Sequence, residues 1–229
     1  MKVTYLEHSG FAAEYKEYVL IFDWYRGSLP EFDQQKKIYV FASHSHYDHF
    51  NKKIFGWSEQ YPDVRYILSA DIAGKEQSER TVYVTANKKY DFDGIKVQTL
   101  HSTDEGVAFI VYMEDKVIYH AGDLNWWHWE EETESYNEQM RQDYQREIDK
   151  LKDIVIDIAF VPLDPRQENQ YAWGMDYFMK HTHTKYVFPM HMWGDYKVYD
   201  RLMENPEAEP YKERVIEVKE PGQVFEVNV

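Results

Sequence analysis

Short apolar or alternating runs bounded by turn residues fill the first half of the chain, at 2–6, 11–15, 18–22, 38–42, 64–68, 82–84, 95–100, 107–113 and 116–120. Each run predicts a β-strand. Val107 to Met113 and Lys116 to His120 flank Glu114-Asp115, the spacing of a two-residue hairpin without the usual glycine. Past Trp129 the period changes. Tyr136, Met140, Tyr144, Ile148 and Leu151 recur at helical spacing on a charged background, which predicts an amphipathic helix over 134–152. Strands are expected at 154–161, 186–189, 214–218 and 223–228, with helices at 171–180 and 196–204. No repeat, low-complexity tract or linker interrupts the pattern, so residues 1–229 read as a single α/β domain of two sheets with helices outside.

Composition narrows the function classes. The 229 residues include 20 Tyr, 12 Phe and 7 Trp, enough bulky material for a core and for an aromatic-walled pocket. The net charge of −15 comes without a long basic run and disfavours a grip on long nucleic acid. With no cysteine, a bound metal must rely on His, carboxylate and water. The opening residues alternate like a strand, and no apolar run reaches 18 residues, so neither an export signal nor a membrane span is expected. A cytoplasmic protein with a small-molecule substrate is the resulting expectation.

One run stands out chemically. His44-Ser45-His46-Tyr47-Asp48-His49 follows the apolar segment Ile38 to Ala42, where a strand should end in a loop that presents ligands. In extended backbone, alternate residues share a face, so His44 and His46 can offer imidazoles to one ion while Asp48 and His49 turn toward a second. Imidazole with carboxylate suits zinc, and also iron or manganese. Gly122-Asp123 and His191 sit at two further predicted strand ends.

Taken together, these residues resemble the metallo-β-lactamase superfamily in order and spacing over nearly the whole chain. Tyr5-Leu6-Glu7-His8-Ser9-Gly10-Phe11 and Asp23 are also similar to its ascorbate-6-phosphate-lactonase-like branch of cytoplasmic hydrolases. The resemblance implies a four-layer αβ/βα sandwich: two mixed β-sheets with helices on the outer faces, and the site at one edge between the sheets. It implies two divalent metal ions, zinc first, with manganese or iron as the other candidates. The first would take His44, His46 and a third histidine, for which His101 is the candidate. The second would take Asp48, His49 and His191, with Asp123 bridging both. His101 follows Leu100 where the family has glycine; the rival reading leaves the first ion to His44, His46 and Asp123.

The implied reaction is hydrolysis of a small ester, lactone, amide or phosphodiester by a bridging hydroxide, oriented by Asp48 and Asp123. His120 or a metal-bound water would be the proton donor. Arg166 could clamp an anionic group or simply pair with Asp164, Asp23 could orient His44 or His46, and His8 and His120 could lie near the site or be ordinary strand residues. Trp126 and Trp127 could wall a pocket or pack in the core. The alternatives are a nuclease or other phosphodiesterase of the same fold, a diiron redox protein, and a metal-binding scaffold without turnover.

Overall fold

The computed structural model describes residues 1–74 and 78–229. Thirteen strands form two sheets among them. The first has the order β13-β1-β2-β3-β4-β5-β6, built from β1 (Lys2–Glu7), β2 (Gly10–Tyr15), β3 (Tyr18–Phe22), β4 (Lys37–Ala42), β5 (Arg65–Ser69), β6 (Thr81–Val84) and β13 (Val224–Glu226). The second runs β12-β11-β10-β9-β8-β7, from β7 (Lys89–Phe92), β8 (Ile95–His101), β9 (Val107–Met113), β10 (Lys116–His120), β11 (Val155–Pro162) and β12 (His183–Met190). Each sheet is antiparallel on one side and parallel on the other, the change falling at β3 in the first sheet and at β10 in the second.

Period-two alternation explains how the layers stack. In β3 and β4, Leu20, Phe22, Tyr39 and Phe41 point into the space between the sheets, while Val19, Ile21, Val40 and Ala42 form a second cluster on the opposite face. Rings fill the inner layer: Phe11 stacks on Phe160 with centroids 4.3 Å apart, and Phe41 meets Phe109 edge-on at 5.1 Å. The outer cluster is covered by the segment carrying a 3-10 helix at Lys52–Glu59. On the second sheet, α1 (Glu134–Ile148) and α2 (Trp173–His181) cover the outer face, with Phe178 of α2 stacked on Tyr119. A short α3 (Val198–Glu204) follows β12. The result is the expected four-layer αβ/βα sandwich.

Some expected elements differ. The helix over 134–152 ends at Ile148 and closes with a 3-10 turn at Asp149–Leu151. The expected strand at 214–218 does not form: Val215 makes one isolated bridge to Val187 and is held by the preceding turn at Lys212–Arg214. β7 and the helix at Lys52–Glu59 were not expected: β7 alternates over only four residues, and Ile54, Phe55 and Trp57 lie too close together to mark a helical stripe.

Candidate metal centre

Six chain segments meet at one edge between the sheets, mostly just past the C-terminal ends of strands, where ligands are commonly presented. β4 leads into His44–His49, β3 into Asp23, β10 into Asp123, β11 into Asp164 and β12 into His191, while His8 occupies the β1–β2 turn. His8, Asp23, His191 and Trp193 all take left-handed backbone (φ 54°, 44°, 63° and 53°), strain that side-chain-bearing residues accept where the surroundings hold them.

Two groups of donor atoms result, each with its members within 4.8 Å of one another: His8, Asp48, His49 and His191, and His44, His46 and Asp123. All are buried except His46. Donors bound about 2.1 Å from one cation lie roughly 3.0–3.5 Å apart at tetrahedral or octahedral angles. The observed separations fall there: His49 Nε2 to Asp123 Oδ1 is 3.2 Å, His191 Nε2 to Asp123 Oδ1 3.4 Å, and His44 Nε2 to Asp123 Oδ2 3.5 Å. Asp123 therefore faces both groups, one oxygen each. His49 Nε2, His8 Nε2 and Asp123 Oδ1 are buried without a hydrogen-bond partner, so they converge on shared points rather than bonding one another.

Neighbouring carboxylates fix the imidazoles. Asp23, fully buried, accepts Ser43 N–H at 2.7 Å, Ser43 Oγ–H at 2.6 Å and His49 Nδ1–H at 2.7 Å. With its only hydroxyl proton given to Asp23, Ser43 Oγ accepts Nδ1–H of His44 at 3.0 Å. Asp164 likewise accepts His191 Nδ1–H at 2.9 Å. Each arrangement holds a proton on Nδ1 and turns Nε2 toward the centre, the usual support of a metal-ligating histidine. Burial pushes Asp23 up, but the imidazoles of His120 and His49 and the Ser43 bonds outweigh it and hold the acid at about 2. Burial lowers His44 to about 4. It would lower His49 too, but Asp123 and Asp23, one at each ring nitrogen, raise it to about 9.

Local backbone features set these positions. Phe50 and His49 donate their N–H groups to His46 O, so the motif is a bent loop, not an extended strand. His44 and His46 still meet, Nε2 to Nδ1 at 2.9 Å. Gly106 is required by this packing: at φ +72° a Cβ would stand 1.9 Å from Ser43 O. Asp123 is held by Trp127 Nε1–H, which donates to its carbonyl at 2.9 Å.

Two expected site residues lie elsewhere. His120 is fully buried, stacked on Phe22, with Nε2–H donated to Ser9 O (2.8 Å) and Nδ1 accepting Gly122 N–H (3.1 Å). Both nitrogens are engaged, so His120 braces the Gly122-Asp123 turn. His101 is the exposed last residue of β8, its backbone N–H bound to Glu147, outside both donor groups. His8, which carried only a general expectation of proximity, joins the second group. Asp23 orients His49 directly and His44 through Ser43, rather than His46. Arg166 forms the salt bridge to Asp164, at 2.5 Å, and lies over Trp193. Trp126 leans on Trp173 at the surface, while Trp127 is buried.

Beside Asp123 and His191 opens a cavity of about 120 Å³, lined by Thr103, Asp104, Trp127, Trp129, Tyr136, Met140 and Arg166. A wider cleft of about 490 Å³ beside Trp173 and Tyr177 borders neither donor group.

Residues 2–139 match the family model of the Beta-lactamase superfamily domain. A UPF0173 metal-dependent hydrolase of Desulforamulus reducens is 29% identical over 141 residues, spanning 54% of this chain and 62% of that relative. Among solved structures, a metallo hydrolase from the archaeon Ignicoccus hospitalis superposes with TM-score 0.65 at 18% identity over 99% of both chains. A metal-dependent hydrolase from Parabacteroides distasonis gives 0.65 at 16% identity, over 93% of this chain and 90% of its own.

Proposed function

Since the chain belongs to the metallo-β-lactamase superfamily, we propose that it is a hydrolase of a small ester, lactone, amide or phosphodiester, using two divalent ions held by His44, His46, Asp48, His49, His191 and the shared Asp123. The observation that carries this reading is Asp123 set between two groups of imidazole and carboxylate donors, one oxygen toward each at 3.2–3.5 Å, with His8 Nε2, His49 Nε2 and Asp123 Oδ1 buried and unpartnered. The donors are imidazole and carboxylate only, which suits zinc first and also manganese or iron. When bound, such an ion pair supplies a hydroxide nucleophile near neutral pH and a positive field for the developing oxyanion.

The chain's own residues do the rest. Asp23 and Asp164 hold His49 and His191 in the tautomer that offers Nε2 inward. Asp123, immobilised through its carbonyl by Trp127, keeps both oxygens aimed at the centre. Trp127, Trp129 and Met140 supply the apolar part of the adjoining cavity, whose other lining residues include Thr103, Asp104 and Arg166. The net charge of −15 disfavours long nucleic acid as substrate. Arg166 is charge-paired with Asp164, which takes its Nε–H and one Nη2–H, two of the five N–H donors of the guanidinium.

Among the described residues no helix is long and apolar enough to cross a membrane. A cytoplasmic setting remains part of the proposal. The test is a screen of chelator-stripped protein, with and without added zinc or manganese, across lactones, esters, thioesters, amides and phosphodiesters. Hydrolysis that requires metal and vanishes in Asp123→Ala and His191→Ala is expected. Turnover that survives complete metal removal would sink the reading.

A further inference from the structure

We infer that His8 is a direct metal ligand, giving the second ion a donor set of His8, Asp48, His49 and His191 and making the two sites strongly unequal. This rests on the metal-centre reading proposed above. His8 lies outside the motif run, in the turn between β1 and β2, and no step of the proposed hydrolysis uses it.

Several independent observations converge on it. The side chain is 95% buried, since its exposure is 5%, and its Nε2 has no hydrogen-bond partner. That nitrogen stands 3.4 Å from Asp48 Oδ2, beyond good hydrogen-bond length but at the separation of two donors on one cation. The ring is packed against His191 at 4.1 Å, Trp193 at 4.6 Å and His49 at 5.5 Å between centroids, so it cannot swing out to water. The turn that aims it is costly for a side-chain-bearing residue: His8 has φ 54°, and its carbonyl is tied to His191 N–H at 3.2 Å. A buried polar atom left without a partner on strained backbone is an expensive feature unless something binds there.

Counting donors then separates the sites. The second group holds four buried side chains and shares Asp123; the first holds His44, His46 and Asp123, with His46 nearly half exposed. A donor-rich enclosed site binds first and tightly, and the donor-poor site fills later and keeps open positions. The first site is thus the exchangeable one, where substrate oxygen enters.

The test is titration of metal-stripped protein with Co²⁺, read by visible absorption and by competition with a chelator, in wild type, His8→Gly and His8→Asn. Glycine and asparagine both tolerate the left-handed backbone, so the turn is preserved. Wild type should bind two ions in two resolved steps. Both variants should lose at least about tenfold in the tighter step with the weaker step little changed, and free imidazole should restore the His8→Gly loss and its spectrum. Two ions in wild type, with both steps in the variants within threefold of wild type, would overturn the role of His8 alone. Equal loss at both steps without imidazole rescue would also overturn it, assigning His8 a structural role. No ion bound by wild type would overturn the metal centre itself.

Discussion

Replacing Asp23 by asparagine preserves the side chain's shape and removes its charge, at a residue expected to touch neither metal nor substrate. In the protein it accepts three bonds, from Ser43 N–H, Ser43 Oγ–H and His49 Nδ1–H, at 2.6–2.7 Å. The amide has one acceptor oxygen. With that oxygen toward Ser43 N–H, an NH2 faces His49 Nδ1, and His49 can satisfy it only by moving its proton to Nε2, the atom aimed at the metal. Ligation through Nε2 needs the remaining proton on Nδ1, where it would now meet an amide NH2 instead of a carboxylate, and a loss near the top of the 10–100-fold range for such outer partners follows, about 2–3 kcal/mol. Stability changes in step. A carboxylate held at about 2 against an ordinary 3.8 stabilises the folded state by about 2–3 kcal/mol above the ordinary value, and this contribution disappears as pH falls through about 2. The assays are chelator competition for metal affinity and urea melts of the metal-free protein between pH 7 and pH 2.5. Asp23→Asn should lower both quantities at neutral pH, with a smaller stability gap at the acid end. Metal affinity within twofold of wild type would refute the argument that Asp23 sets the His49 tautomer.

Other consequences can be checked separately. His49 is raised to about 9 in the metal-free protein, so its proton-linked stability is fully present below the ordinary 6.5 and lost as pH rises through 9. Metal must displace that proton, and apparent affinity should climb about tenfold per pH unit from 7 to 9, with proton release visible by calorimetry in two buffers; a flat affinity over this window would contradict the assignment. His120→Gln should destabilise the protein by about 1–3 kcal/mol, since buried hydrogen bonds to Ser9 and Gly122 are lost. Its kcat on any substrate found should stay within about threefold, whereas a hundredfold drop would restore His120 as proton donor.

The layers of the fold were legible because most strands alternate cleanly. Of the stripe Tyr136, Met140, Tyr144, Ile148 and Leu151, the last three are buried in the core, while Tyr136 is exposed and Met140 half-buried beside the cavity. β7 escaped because Lys89-Tyr90-Asp91-Phe92 is an edge strand with half its positions exposed. At the centre, His44, His46, Asp48, His49, Asp123 and His191 were readable as strand-end residues, and the structure gathers them; their roles as ligands remain the proposal. His101 was misplaced because alternation gives it the face of the buried Ile95, Val97 and Thr99, whereas as the last residue of β8 it is exposed. His8 carried too weak a signal by itself, since only the left-handed turn, invisible in residue order, aims its ring inward. Asp164's hold on His191 joins two strand ends 27 positions apart, a pairing that no local pattern encodes.

The central claim is that two cations sit side by side on Asp123, and the most direct measurement is anomalous diffraction from crystals of the metal-loaded protein. The account predicts two peaks per chain about 3.5–4 Å apart, one beside His44 and His46 and one beside Asp48, His49 and His191, both lost in Asp123→Ala. A single peak at saturating metal, or peaks away from Asp123, would contradict it.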